Sequence, residues 1–306
     1  MKPATRLFLI GAPVLVAAAV IFGSGGDSGV LADNPPARPE RSGAPDPLSS
    51  GDPDDREELA RRIDAMPPGL AAPEKKELAA QLVASAENST LDWRRQYAAI
   101  EDLGDGNGYT AGVIGFCSGT NDMLQLVESY TEKHPDNPLA PFLPALRKVD
   151  GTDSHEGLDP GFREAWAKAA ESADFRSAQD STRDRLYFDP AVRLAKMDGL
   201  GTLGQFVYYD AMVLHGPGLD ARGFYGIREA AMKKRKTAAE GGDEKAYLNA
   251  FMDASRAVMK TKLIAEQRDS SRIDTAQRVF LRDGNMALEP PLTWQVYGET
   301  FRIDQS

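Results

Sequence analysis

Between Ser85 and Asp122 the chain reads SAENSTLDWRRQYAAIEDLGDGNGYTAGVIGFCSGTND and changes character twice. Upstream, Pro73 suits the first turn of a helix running to about Asn88, and Leu78, Leu82, Val83 and Ala86 recur on one face of it. Glu87 follows four residues after Val83, at the border of that apolar stripe. Asp92 stands where a cap would open a second helix through Trp93, Tyr97 and Ile100, ending at Gly104. Gly104-Asp105-Gly106-Asn107-Gly108 is too rich in glycine for the interior of a helix or strand and reads as a tight turn. Tyr109 to Phe116 then suits a β-strand, so a small hairpin or sheet follows a helix end within a short stretch of chain.

That arrangement sets two carboxylates, Glu87 and Asp105, on separate elements. Acid/base hydrolysis of a glycosidic bond needs such a pair on either side of a cleft. A carboxylate held against apolar surface loses hydration, which favours its protonated form and suits a proton donor. Position and spacing alone favour plainer roles: a solvated glutamate at a helix end and a structural aspartate in a turn.

The rest of the chain reads as mostly helical, with further helices over about 122–134, 160–173, 177–187, 190–214, 228–237 and 244–267. Leu203 to Leu214 (LGQFVYYDAMVL) is apolar nearly all round, so its helix is expected to be central and buried. Asp210 lies inside it, and a buried carboxylate without a partner is very costly. Arg256 and Arg272 are the candidate partners, with Ser270 to Asp274 entering the last helix.

Cys117 is the only cysteine, in an apolar run, and is expected to be a small buried hydrophobe. His134, His155 and His215 are far apart and form no metal-binding pair, so neither zinc nor any other metal is expected. The net charge of −10 over 306 residues argues against nucleic acid as a partner and suits a cationic ligand.

At the N-terminus Lys2 and Arg6 precede the uncharged run Leu7 to Phe22, which reads as an export signal or an uncleaved membrane anchor within residues 1–32. The Gly, Pro, Ser and Asp bias that follows marks a disordered linker, assigned to 33–66, although Asp52 to Met66 can form a short helix ended by Pro67-Pro68. Residues 67–306 are left as one domain.

From about Leu70 to the C-terminus the chain resembles the chitosanases of glycoside hydrolase family 46. The resemblance rests on SAENSTLDW, EDLGDGNGYTAGVIGFCSGTND, LPALRKVDG, DRLYFDPAV, LGQFVYYDAMVLHGPG, GGDEKAYLNAFMDA and SSRIDTAQRVFL, in that order. It implies a mainly α, lysozyme-like fold (α+β), with two mostly helical lobes and a small β-sheet flanking a substrate cleft. It also implies secreted, endo-acting hydrolysis of β-1,4-linked glucosamine polymers with inversion, by a monomer that needs no cofactor and no membrane once the signal is cleaved. On the same ground Glu87 is the general acid and Asp105 the general base. Thr110 helps position the attacking water, and Asp122 binds a glucosamine unit. Asp210 and Arg272 match an ion-pair network behind the acid. Two positions depart from the pattern: Ser255 stands where a second network arginine is expected, beside Arg256, and Asn107 stands where an arginine is usual. A non-catalytic polysaccharide-binding protein and a lysozyme-like hydrolase of peptidoglycan or chitin are the competing readings.

Overall fold

The computed structural model describes residues 53–262 and 268–305. The segment assigned to export, 1–32, and most of the linker assigned to 33–66 lie outside them. The last part of that linker is a helix instead, α1 (Pro53–Asp64), which packs by Ile63 and makes its contacts with a later helix. The apolar positions Leu59 and Ile63 indicate this helix, and Pro67-Pro68 follows its end.

Helix α2 (Pro73–Asn88) has the bounds expected, opens on a proline and buries Leu78, Leu82, Val83 and Ala86. Ser89, at φ 49°, closes it in the left-handed region. The second helix expected from Asp92 to Gly104 is not formed. Trp93–Ala98 makes a short 3-10 turn with no side-chain cap from Asp92, whose carboxylate pairs with Arg95 instead. Ile100 is already in a strand.

Strands β1 (Ile100–Asp102), β2 (Tyr109–Ala111) and β3 (Phe116–Cys117) form an antiparallel sheet in that order. Asp102 pairs with Tyr109 across the glycine turn, and Thr110 with Glu101 and Cys117. The single strand expected over 109–116 is therefore two strands, because Gly112 to Gly115 turn the chain between them.

Helices α3 (Asp122–Lys133), α4 (Leu143–Val149), α5 (Phe162–Ala170) and α6 (Ala173–Arg183) pack with this sheet as one group. A wider turn, Asp184–Phe188, leads into the second group: α7 (Asp189–Met197), α8 (Thr202–His215), α9 (Phe224–Met232) and α10 (Glu244–Met259). One apolar core runs through both. The mainly helical, lysozyme-like class with a small sheet is thus the fold observed.

Helix α8 is the central buried one, with twelve of its residues enclosed. Each large apolar side chain buried in this way contributes about 1.5–3 kcal/mol. The continuous helix expected over 190–214 breaks after Met197. Asp198 is buried there, accepting from Arg228 Nε at 2.7 Å and from the Tyr208 hydroxyl at 2.6 Å. The chain restarts when Leu203 N–H bonds to Met286 and Gly201 N–H to Glu244 Oε1.

After α10 the chain returns through a second wide turn, Arg272–Gln277, into α11 (Arg278–Arg282). A hairpin absent from the sequence reading closes the fold: β4 (Leu292–Val296) and β5 (Glu299–Ile303). Its signal was present, since Leu292, Trp294 and Val296 alternate with polar residues before Tyr297-Gly298.

Candidate active site

Helix α2 and the β1–β2 turn carry the two expected carboxylates. Asp105 is half-buried in the turn, and its two oxygens accept from Asn107: Oδ1 from the backbone N–H at 3.0 Å, Oδ2 from the side-chain amide at 2.9 Å. The residue found in place of an arginine thus gives the carboxylate neutral donors. Positive φ and the close approach of a serine hydroxyl explain the last glycine of the turn. Gly108 sits at φ 72°, where an added Cβ would lie 2.3 Å from Ser118 Oγ. That hydroxyl accepts from Tyr109 N–H at 2.9 Å and ties the turn to β3. Thr110 is half-buried one residue further, its hydroxyl 3.5 Å from Cys117 Sγ. Cys117 is itself buried.

Glu87 ends up at the head of a three-part charge chain. Arg272 Nη1 donates to Glu87 Oε1 at 2.6 Å, while its Nε and Nη2 donate to Asp210 at 3.2 and 2.7 Å. Gln277 adds a donor to Asp210 Oδ2 at 2.6 Å. The arginine and aspartate side chains are 4% and 3% exposed, but Glu87 is 32% exposed. Among the described residues no donor meets Glu87 Oε2. The chain therefore runs from a sealed aspartate to a carboxylate with one oxygen open.

Burial opposes the charge on Arg272, but Asp210 and Glu87 outweigh it and hold the guanidinium further above its ordinary range. At Asp210 burial acts the other way and raises the carboxyl, against the pull of Arg272 and Gln277. Three donors on two oxygens are the geometry of an ionised pair, and that is the state the contacts favour. A further clamp comes from the C-terminal hairpin: Trp294 Nε1 donates to Ser85 Oγ at 3.0 Å, two residues before Glu87.

Arg256 does not join this chain. It pairs with Asp274 at 2.9 Å and its side chain is 39% exposed, whereas Ser255 is buried with its hydroxyl 2.8 Å from His215 Nε2. One step along a helix turns a side chain by about 100°, so only one of two neighbours can face inward, and here it is the serine. Arg256→Ala is accordingly expected to cost about 0.2–1 kcal/mol in thermal denaturation, the range of an exposed ion pair. A loss of several times that would place Arg256 in the buried network after all.

Asp122 also differs from the expectation that it meets a sugar amine. It is 1% exposed, and its oxygens accept from Cys117 N–H, Thr120 Oγ1, Met123 N–H and the Tyr187 hydroxyl at 3.0, 2.8, 3.0 and 2.6 Å. Standing at the start of α3, it ties the end of β3 to that helix. A carboxylate so enclosed is not offered to a ligand in this conformation. Tyr187 and Gln277 were not singled out from sequence, because nothing local marks which distant hydroxyl or amide will close a buried acceptor.

The family profile for Glycosyl hydrolase family 46 matches residues 81–292. The chain belongs to that family. A chitosanase of Streptomyces sp. (strain N174) is 59% identical over 236 residues, covering 77% of this chain and 84% of that protein. One from Bacillus subtilis (strain 168) is 35% identical over 226 residues, covering 72% and 81%. A solved chitosanase crystallised with substrate is similar with a TM-score of 0.75 and 53% identity, over 77% of this chain and 99% of that one. A Gynuella sunshinyii chitosanase in complex with chitotetraose gives a TM-score of 0.72 at 34% identity, with the same coverage. The activity of this family 46 chain is that of a chitosanase.

Proposed function

We propose that the chain is an exported, endo-acting, inverting hydrolase of β-1,4 bonds between glucosamine units, with Glu87 as general acid and Asp105 as general base. The observation that carries this reading is the contrast between the two carboxylates. Glu87 is fixed through one oxygen by a buried arginine, and its other oxygen meets no donor among the described residues. Asp105 sits in a tight turn on a separate element, met by the neutral donors of Asn107.

The roles follow from charge. With both carboxylates of the Glu87–Arg272–Asp210 chain ionised, that set carries one net negative charge; with a proton on Glu87 it is neutral. Glu87 Oε2 donates that proton to the glycosidic oxygen as the bond to the anomeric carbon breaks. Asp105 takes a proton from a water attacking the opposite face of the sugar, and the Thr110 hydroxyl orients that water. An inverting pair leaves room for it, with carboxyl groups about 6.5–9.5 Å apart, against about 5–5.5 Å in a retaining pair. The net charge of −10 favours a polycationic substrate at long range. Asp122 acts in this scheme by holding the segment after β3 in shape. Export rests on Lys2, Arg6 and the apolar run to Phe22.

The test is the anomer first released from a glucosamine oligomer by fresh enzyme, followed by proton NMR. The α-anomer is expected, before mutarotation. Initial release of the β-anomer would overturn the inverting assignment and turn Asp105 from base into nucleophile.

A further inference from the structure

The hairpin that closes the fold turns on a strained residue. Val296 pairs with Glu299, which leaves Tyr297 and Gly298 as a two-residue turn with φ 52° and φ 78°. Both central positions of such a turn need positive φ, and the residues that accept this most readily are asparagine, aspartate and glycine. An aromatic residue there is strained, and strain of this kind is retained at functional sites. Tyr297 is also 46% exposed, an unusual place for a large ring.

Its position is tied to the acid. Tyr297 N–H donates to Ser271 Oγ at 2.9 Å, and Ser271 precedes Arg272, which holds Glu87. The same strand clamps the helix of Glu87 through Trp294. Burial raises the phenol above its ordinary range, with Arg272 opposing the shift and Glu87 adding to it, while the residue as a whole stays 46% exposed.

We propose that Tyr297 is a substrate-contacting residue, its exposed side chain carrying a glucosamine unit bound beside the scissile bond on the Glu87 side. The apolar C–H face of a sugar and its ammonium group are both attracted to an aromatic face. This inference rests on the reading of Glu87 as the acid of a chitosan cleft.

The experiment compares wild type, Tyr297→Phe and Tyr297→Asn by KM and kcat on a fully deacetylated glucosamine hexamer, and by melting temperature. Asparagine suits the turn, so its melting temperature is expected to equal or exceed that of wild type, while KM rises about five- to tenfold, the size of one aromatic contact. Its kcat is expected to stay within about twofold, since the ring takes no part in proton transfer. Phenylalanine keeps the ring and is expected to stay within about twofold of wild type in KM. An unchanged KM in Tyr297→Asn overturns the proposal. So does a rise in KM accompanied by a fall in melting temperature, which marks a structural residue, and so does a phenylalanine variant as weak as asparagine, which moves the contact to the hydroxyl. If wild type itself fails to cleave the hexamer, the reading of Glu87 falls first; if it cleaves and Tyr297→Asn matches it, this inference falls alone.

Discussion

Glu87→Gln and Asp105→Asn are each expected to lower turnover of chitosan by about 10²–10⁴-fold, the usual contribution of one positioned acid or base. Glutamine in place of Glu87 can still meet Arg272 Nη1 through its carbonyl oxygen, so the geometry of the site survives while the transferable proton does not. Asparagine in place of Asp105 keeps an acceptor for Asn107 but has no oxygen basic enough to take a proton from water. Reducing-end assays at saturating substrate measure the loss, and circular dichroism with melting curves checks that both variants fold. An Asp105→Asn enzyme of near wild-type activity would remove the base assignment and leave that of the acid standing. Glu87→Gln has a second consequence. The amide is neutral, so the buried set stays neutral in the variant, and a loss of stability of no more than about 1 kcal/mol is expected from it.

Asp210→Ala should be the most destabilising single change in the site, costing about 3–5 kcal/mol because it leaves a buried guanidinium with one of its two carboxylates gone. In a domain of this size each kcal/mol lowers the melting temperature by about 2–4 °C, so a fall of roughly 6–20 °C is expected. Gln277 loses its acceptor in the same step and adds to the cost. Activity is expected to fall with stability, because Arg272 is then free to shift and to carry Glu87 Oε1 with it. Thermal denaturation at neutral pH measures the first effect. A melting temperature equal to that of wild type would show that the pair offsets its own desolvation and no more. It would also make Asp210 dispensable for placing the acid.

Periodicity and turn chemistry made much of this molecule legible. The stripe of α2 placed Glu87 at the edge of apolar surface, the glycine run placed Asp105 in a turn, and the all-round apolarity of 203–214 marked the central helix. These are local properties: a helix face or a positive φ is decided within a few residues of chain. That Asp210 required an arginine was equally plain, since a lone buried charge is prohibitive.

Burial alone left both Arg272 and Arg256 open as that partner, and only the family resemblance pointed to Arg272. The tertiary structure supplies the physical reason: helix α10 turns Ser255 inward, while the wide turn at 272–277 delivers Arg272 between two helices. The fate of Asp122 was decided in the same way, by Tyr187 arriving from 65 residues further along the chain to help seal a carboxylate that the sequence left facing substrate. The break at Asp198 depended on Arg228, and the docking of the closing hairpin, though not its strands, on Trp294 finding Ser85. In each case a polar group had to be satisfied on burial, and the choice of partner depended on long-range packing that no window of sequence contains.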